Sequence, residues 1–256
     1  MAAATLFDLS GKTALVTGAG TGLGRRFAEV LAQAGATVVL AARRREPLES
    51  AADTIRAAGG VAHCVPLDVS SAQSVQSAFD ALEQVGPLDV LVNNAGIAGV
   101  GALLDLPEDD WDTVLNVNLK GAWLAARAAA RAMIKRATQG SIINVASVLG
   151  SAVQKGTGNY PATKAALLHL TRSMALEWAK YGIRVNALAP GYFLSELSAG
   201  FLATEAGKAM VKRMPMRRLG EPAELDGALL LLASAASSYM TGSVITIDGG
   251  LSMPTV

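Results

Sequence analysis

Short runs rich in β-branched residues alternate along the chain with alanine- and leucine-rich segments, and this alternation restricts the fold more than any other sequence feature. The strand-like runs are 12–17, 37–42, 61–66, 88–93, 141–146, 183–188 and 243–248, and the helix-like segments lie near 23–34, 47–58, 71–85, 108–136, 160–180 and 222–235. Strands that alternate with helices pair in parallel through crossovers, which cover both faces of the sheet. The sequence therefore predicts an α/β fold with a doubly wound, seven-stranded parallel sheet.

The chain shows no linker, repeat or low-complexity segment, so a single domain over residues 1–256 is expected. One irregular insertion, at about 190–222, separates the sixth strand from the last helix. Its scattered apolar residues indicate short amphipathic helices: Phe193, Leu194, Leu197, Phe201, Leu202, Met210, Met214 and Met216. We expect this insertion to form a lid over a substrate site.

Charge and composition restrict the kinds of molecule that the protein is expected to bind. The 22 basic and 21 acidic residues give a net charge of +1, which provides no basic field for a nucleic acid. No window reaches the roughly 20 apolar residues that cross a bilayer. A single cysteine, Cys64, and a start without a basic segment before a long apolar run favour a reduced, cytoplasmic location. A small-molecule partner is expected.

The histidines, the cysteine and the tryptophans carry no recognisable chemistry. His63, Cys64 and His169 do not have the spacing of metal ligands, so no metal is expected, and they are interpreted as core or interface residues. The three tryptophans are interpreted as packing residues. They are Trp111, Trp123 and Trp178.

The sequence TGAGTGLG, residues 17–24, follows the first strand and opens the first helix. Glycines in this context let the backbone and a helix N-terminus approach a pyrophosphate, although a tight turn could need them for packing alone. The flanking strand and helix favour a Rossmann-type dinucleotide site. The predicted cofactor residues here are Gly18, Gly20, Thr21, Gly22, Leu23 and Gly24.

Tyr160 and Lys164, in the sequence YPATK, are four residues apart on a predicted helix and so project from one face. On a surface this pair would contribute only about 0.3–0.5 kcal/mol. In a cleft, the ammonium could instead lower the pKa of the phenol from about 10 toward working pH. The two residues alone leave both interpretations open.

Five motifs occur in one order along the chain: the glycine loop, Asn93-Asn94-Ala95-Gly96 after the fourth strand, Ser147 after the fifth, the Tyr160 and Lys164 pair, and Pro190-Gly191 after the sixth. In this order, over essentially the whole chain, the sequence resembles the short-chain dehydrogenase/reductase family. The run PGYFLSEL is similar to members of the gluconate 5-dehydrogenase and 3-oxoacyl-[acyl-carrier-protein] reductase type.

This resemblance implies NAD(P)-dependent oxidation of an alcohol or reduction of a carbonyl, with Asn118, Ser147, Tyr160 and Lys164 as the catalytic set. Tyr160 would be the general acid in reduction and the base in oxidation, acting as a phenolate near neutral pH beside Lys164 and the oxidised nicotinamide. Lys164 would also hold the nicotinamide ribose, and Ser147 would hydrogen-bond the substrate oxygen. Asn118 would interrupt its long helix and bind a water that connects Lys164 to solvent.

Other positions are assigned to the cofactor through the same resemblance. Asp68 would meet the adenine amino group, although an aspartate near a helix N-cap is an equal alternative. The segment from Asn93 to Gly96 would back the adenine ribose and stabilise the sheet. The remaining assigned residues are Val69, Asn94, Ala95, Gly96, Pro190, Gly191 and Phe193.

The end of the second strand, Ala41-Ala42-Arg43-Arg44, predicts which dinucleotide is bound. It offers no carboxylate for the ribose 2′-hydroxyl of NAD, whereas the guanidinium of Arg43 suits a 2′-phosphate. NADP(H) is therefore favoured over NAD(H), although Thr21 supplies no second basic group. Arg44 and Arg45 are interpreted as a solvated charge run that leads into a helix.

The resulting prediction is NADP-dependent reduction of a carbonyl, in a 3-oxoacyl thioester, a ketone or a ketose, to a secondary alcohol. The alternatives are an NAD-dependent secondary alcohol dehydrogenase and a non-catalytic dinucleotide sensor. The sensor would be expected to have lost a catalytic residue, and none is lost.

A homotetramer is expected from the long helices at 108–136 and 160–180 and from the C-terminal SVITIDGGLSM, which pack between subunits in relatives. Small residues on one helix face would allow close approach of a neighbouring helix, although burial against the subunit's own sheet would explain them equally. These residues are Ala125, Ala126, Ala129 and Ala130.

Overall fold

The computed structural model describes residues 6–193, 200 and 202–253. Its strands are β1 (Thr13–Thr17), β2 (Thr37–Ala42), β3 (Val61–Pro66), β4 (Val90–Asn93), β5 (Gly140–Val145), β6 (Ile183–Pro190) and β7 (Val244–Ile247). All neighbouring strands pair in parallel, in the order β3-β2-β1-β4-β5-β6-β7. The predicted seven-stranded, doubly wound sheet is confirmed. The order reverses between β1 and β4, and ligands of such sheets bind beyond the carboxyl ends of the strands at this point.

The helices of the described residues are α1 (Gly22–Gln33), α2 (Arg45–Ala57), α3 (Ala72–Leu82), α4 (Glu108–Leu115), α5 (Ala122–Lys135), α6 (Asn159–Trp178), α7 (Glu205–Arg213) and α8 (Asp226–Ala233). A π-helical segment, Asn116–Gly121, joins α4 to α5. The segment predicted as one helix over 108–136 is therefore helical over nearly the expected length, but its hydrogen-bond pattern changes in the middle.

Apolar side chains cover both faces of the sheet, because successive strand residues point to opposite sides. On one face, Val16 of β1 packs in a cluster with Phe27 of α1. On the other face, its neighbour Leu15 packs in a second cluster with Phe79 of α3. All five residues of β1 are buried. The core thus holds the central strands rigidly and fixes where their carboxyl ends lie.

The alanine face of α5 belongs to the subunit's own core. Its four predicted residues are between 0% and 3% exposed and lie in the second cluster, namely Ala125, Ala126, Ala129 and Ala130. Of the two explanations offered for them, the structure supports burial inside the subunit. They therefore give no support to a homotetramer, because buried side chains cannot meet a second copy.

Two of the residues interpreted as packing side chains are partly exposed. Trp111 of α4 and Trp123 of α5 are 36% and 37% exposed, and the guanidinium of Arg127 lies 4.3 Å from the ring centroid of Trp123. Trp178 packs at the edge of the second cluster, as expected of a packing residue.

His63 and His169 are both exposed, so neither is a core residue, and their alternative interpretation as interface residues stays a prediction. His63 lies on β3, which is an edge strand of the sheet formed by the described residues. Cys64 is partly buried, and burial raises the pKa of its thiol to about 11. Among the described residues, no group of three or more His, Cys, Asp or Glu side chains could hold a metal ion. No helix within the same residues is long and apolar enough to span a membrane.

Candidate functional site

A cleft of about 1070 Å³ lies at the carboxyl ends of the strands. It is lined by every site residue predicted from the sequence except Asn93 and Asn118, together with several that were not predicted. The predicted ones are Gly18, Gly20, Thr21, Gly22, Leu23, Gly24, Arg43, Asp68, Val69, Asn94, Ala95, Gly96, Ser147, Tyr160, Lys164, Pro190, Gly191 and Phe193. One crevice thus brings together motifs that are up to 175 positions apart in the sequence, from Gly18 to Phe193.

The glycine loop forms one wall of the cleft, and two of its glycines have no room for a side chain. Gly18 has a φ of +67°, and a Cβ there would lie 2.9 Å from Cα of Ala95. A Cβ on Gly24 would lie 2.2 Å from the carbonyl oxygen of Gly18. Asn94 ties the loop to β4, because its Nδ2 donates to the carbonyl oxygens of Thr17 and Gly18 at 3.0 and 3.3 Å.

The first turn of α1 opens directly onto this loop. Its N-cap, Thr21, makes no side-chain capping bond, and the first turn contains no acidic residue. The N–H groups at this helix end therefore remain available to an anion, and the helix dipole favours negative charge there. Together with the closely packed glycines, this is the arrangement in which a pyrophosphate fits against backbone.

Basic side chains follow β2 at one end of the cleft. Arg43 and Arg44 are exposed and both line the cleft, and the exposure of Arg44 agrees with its interpretation as part of a solvated charge run. The side chain of Arg45 is 86% exposed and lies 3.6 Å from the carboxylate of Glu49, as a solvated charge run would predict. Two arginines, Arg43 and Arg44, therefore lie beside the cleft at the end of β2.

Asp68 lines the cleft but is also part of a local turn. Its Oδ1 accepts hydrogen bonds from the N–H and the hydroxyl of Ser70, at 3.0 and 2.7 Å. These bonds, chiefly that of the hydroxyl, and the nearby charge of Arg43 hold the pKa of the carboxyl below its ordinary value. Ser71, and not Asp68, caps α3. Asp68 thus stays charged beside Arg43.

Ser147, Tyr160 and Lys164 meet in the middle of the cleft. Ser147 follows β5 and caps a short 3₁₀ turn, where its Oγ accepts from the N–H of Leu149 at 3.1 Å. Tyr160 lies in the first turn of α6, and Lys164 follows one turn later on the same face. Lys164 is 4% exposed, and its Nζ donates to the carbonyl oxygen of Val145 at 2.8 Å and lies 5.5 Å from the centroid of the Tyr160 ring.

Burial is the largest influence on the pKa values of Tyr160 and Lys164. It raises the pKa of Tyr160 above the ordinary value of 10.0, although a hydrogen bond from Ser147 acts in the opposite direction. Burial also lowers the pKa of Lys164 from 10.5 to about 8. The expected lowering of the phenol's pKa by Lys164 is therefore not found among the protein's own groups, because desolvation disfavours the charged form of each side chain.

Asn118 lies in the π-helical segment behind the cleft and is 1% exposed. Its Oδ1 accepts from the N–H of Ile97 at 2.8 Å, and its Nδ2 donates to the carbonyl oxygen of the same residue at 2.9 Å. A Cβ on Gly96 would lie 3.3 Å from this Oδ1 and 3.6 Å from Nζ of Lys164. Asn118 thus fixes the loop after β4 next to Lys164, and its role in binding water stays a prediction.

Sequence reasoning missed several polar residues that line the cleft, and two of them form a hydrogen bond with each other. They are Gln154, in the turn before α6, and Tyr192, directly after Pro190-Gly191. No short motif marks either residue. Their signal in the sequence is position alone, since Gln154 lies between two predicted catalytic residues and Tyr192 between two predicted cofactor residues.

The known proteins that this chain resembles are dehydrogenases and reductases. A family model described as enoyl-(acyl carrier protein) reductase matches residues 18–252. The chain is 40% identical over 250 residues to gluconate 5-dehydrogenase of Gluconobacter oxydans, covering 97% of each protein. It is 39% identical over 244 residues to 3-oxoacyl-[acyl-carrier-protein] reductase of Thermotoga maritima, covering 95% of this chain and 98% of that protein. A gluconate 5-dehydrogenase from Burkholderia cenocepacia, solved in complex with NADP and tartrate, superposes with a TM-score of 0.95 at 41% identity, covering 99% of this chain and 100% of the other.

Proposed function

Because the chain belongs to the short-chain dehydrogenase/reductase family of oxidoreductases, we propose that it uses NADP(H) to reduce a carbonyl group to a secondary alcohol. One observation carries this proposal: Ser147, Tyr160 and Lys164 line the same cleft as the glycine loop. A proton donor and a dinucleotide site within one crevice are what hydride transfer to a carbonyl requires.

The residues of the cleft fit a dinucleotide. The absence of side chains at Gly18 and Gly24 allows backbone to approach a pyrophosphate, and the open end of α1 favours its charge. When bound, NADPH supplies the hydride. Arg43 and Arg44 would hold the 2′-phosphate, and NADP in the Burkholderia structure supports this choice over NAD.

Tyr160 would donate its proton to the substrate oxygen in reduction and take it back in oxidation. Its raised pKa keeps the phenol protonated at neutral pH, which suits the acid of the reductive direction. Ser147 would donate a hydrogen bond to the same substrate oxygen and so hold it next to the phenol.

Lys164 would serve the site in two ways. With a pKa of about 8 its ammonium is mostly charged at neutral pH, so it favours the phenolate that remains after Tyr160 has lost its proton. Its three N–H donors would also hold the ribose hydroxyls of the cofactor. The interrupted helix at Asn118 would hold a water through which Lys164 exchanges protons with solvent.

We extend the proposal to the surroundings of the site. The segment at about 190–222, which contains α7, would cover the substrate; of its predicted apolar residues, Leu194, Leu197 and Phe201 lie outside the described residues. The protein would act on a small molecule in the cytoplasm as a homotetramer. The names of its relatives support a ketose or sugar acid and a 3-oxoacyl thioester as substrate classes.

A spectrophotometric panel tests this function. Purified protein is mixed with NADPH, or separately with NADH, and with ketones, ketoses and 3-oxoacyl thioesters, and loss of the reduced nicotinamide is followed. We expect carbonyl-dependent oxidation of NADPH, faster than that of NADH. If no carbonyl is reduced and no secondary alcohol is oxidised with either cofactor, the proposal fails.

A further inference from the structure

Gln154 and Tyr192 form a polar pair on the wall of the cleft that also carries Ser147 and Tyr160. The hydroxyl of Tyr192 donates to Oε1 of Gln154 at 2.5 Å. Tyr192 also lies near enough to Tyr160 for its charge to raise the pKa of that phenol. The pair is therefore close to the position where a substrate would react.

One hydrogen bond orients the side-chain amide of Gln154: its Oε1 accepts from the hydroxyl of Tyr192. The backbone carbonyl of Gln154 accepts from Oγ1 of Thr157 at 3.1 Å, which holds the turn that carries the side chain. Its Nε2 makes no hydrogen bond to any part of the chain that the structure describes. Two N–H donors of Gln154 are thus left for a molecule in the cleft.

A donor in the cleft needs an acceptor once a bound molecule displaces water. Apolar side chains that also line the cleft, such as Val148 and Leu149, offer none. The neighbouring Lys155 lines it as well and forms no ion pair within the described residues, so it adds three more donors. A substrate that displaced water here without supplying acceptors would leave these donors unpaired, which weakens binding.

We propose that Gln154, held in place by Tyr192, is a specificity-determining residue that donates its amide N–H to a second oxygen of the substrate, and that this substrate is a polyhydroxylated ketone or its alcohol. The inference rests on the proposed function. A plain ketone has a single oxygen, which Ser147 and Tyr160 would use. A 3-oxoacyl thioester adds one nearby acceptor, its thioester carbonyl oxygen, next to a weakly accepting sulfur. A polyhydroxylated chain instead carries an oxygen on each carbon beside the ketone, so it offers several acceptors to Gln154 and Lys155.

The test compares three carbonyl probes with NADPH and the full chain: erythrulose, butan-2-one, which has the same four-carbon skeleton without hydroxyls, and the N-acetylcysteamine thioester of acetoacetate. We expect kcat/KM for erythrulose to exceed that for butan-2-one and for the thioester by about ten-fold or more, the effect of one well-placed hydrogen bond. In Gln154→Leu and Tyr192→Phe, the ratio of erythrulose to butan-2-one should fall about ten-fold, mainly through KM.

Gln154→Glu keeps the shape of the side chain and replaces the donor by an acceptor, so the same ratio should fall in this variant too. Gln73→Leu and Tyr239→Phe are matched controls at exposed positions outside the cleft, and the ratio should not change in them. Reduction of butan-2-one or the thioester without a preference for erythrulose overturns the inference and leaves the proposed function standing. A preference that persists in all three Gln154 and Tyr192 variants overturns it as well. No reduction of any of the three probes with NADPH overturns the inference, and the proposed function falls as well if the wider panel gives no turnover with either cofactor.

Discussion

Because the ammonium of Lys164 is buried, we expect its replacement to raise the stability of the protein and to abolish its activity. Lys164 is 4% exposed, and the carbonyl oxygen of Val145 is its hydrogen-bond acceptor. No carboxylate contributes to its pKa, which burial alone lowers. At neutral pH the folded protein therefore carries a buried positive charge on Lys164 that no carboxylate offsets. A residue with only a structural role would not need this charge.

The magnitude follows from the difference between 10.5 and about 8. At about 1.4 kcal/mol per pKa unit, burial of the ammonium costs about 3 kcal/mol. Replacement by methionine, which has a similar length and no charge, removes this cost but leaves Val145 without its donor, a loss of about 1 kcal/mol. We therefore expect Lys164→Met to raise the free energy of unfolding by about 2 kcal/mol at pH 7.

The effect should depend on pH in a defined direction. Because the pKa of Lys164 is lower in the folded than in the unfolded protein, the cost is fully present below about pH 8 and disappears as the pH rises toward 10.5. The advantage of the variant should thus shrink from about 2 kcal/mol at pH 7 to nearly zero at about pH 9.5. Activity at pH 7 should nevertheless be lost, since the ammonium would serve both the phenol and the ribose.

Urea denaturation of both proteins, at equal protein concentration and without cofactor, measures this difference at each pH. Lys212→Met is a matched control at an exposed position, and should change the free energy of unfolding by no more than about 0.5 kcal/mol. The reasoning is refuted if Lys164→Met is less stable than the wild type at pH 7, or if the difference between them is the same at both pH values.

Three further predictions concern the cofactor and the assembly. Arg43→Ala should raise the KM for NADPH by about ten- to a hundred-fold by removing a charge-assisted contact with the 2′-phosphate, while the KM for NADH stays unchanged; equal losses for both cofactors in steady-state kinetics would contradict this. Gly24→Ala places a Cβ 2.2 Å from the carbonyl oxygen of Gly18, so the loop must move, and the Kd for NADPH in a fluorescence titration should rise about ten-fold or more; a Kd within about two-fold of the wild type would contradict the role of this glycine. Light scattering at micromolar concentration should give the mass of a tetramer, and a monomer mass would reject the proposed assembly.

The sheet and its helices were predictable because their signal is local. A buried β1 and an amphipathic α1 leave a hydrophobic pattern in neighbouring residues, and the glycine loop between them requires a backbone that few sequences supply. The π-helical segment at Asn118 was expected only as an interruption, since a change in hydrogen-bond register does not alter the apolar pattern of 108–136.

Other features depend on the tertiary arrangement. Ala129 faces the sheet and His63 lies on an edge strand, and neither fact follows from the residues next to them. The direction of the pKa of Tyr160 also could not be read from its spacing to Lys164, because the spacing gives the partner but not the burial of either group. Gln154 and Tyr192 are 38 positions apart and become a pair only in the folded cleft.

The most direct test of the proposed chemistry is the rate of carbonyl-dependent NADPH oxidation by Tyr160→Phe, measured beside the wild type on the best substrate of the panel. The variant keeps the ring of Tyr160 and loses the hydroxyl group with its transferable proton, so the cofactor should bind within about three-fold of the wild type while kcat falls by about a hundred-fold or more. A variant that retains more than about a tenth of the wild-type kcat would show that Tyr160 is not the proton donor.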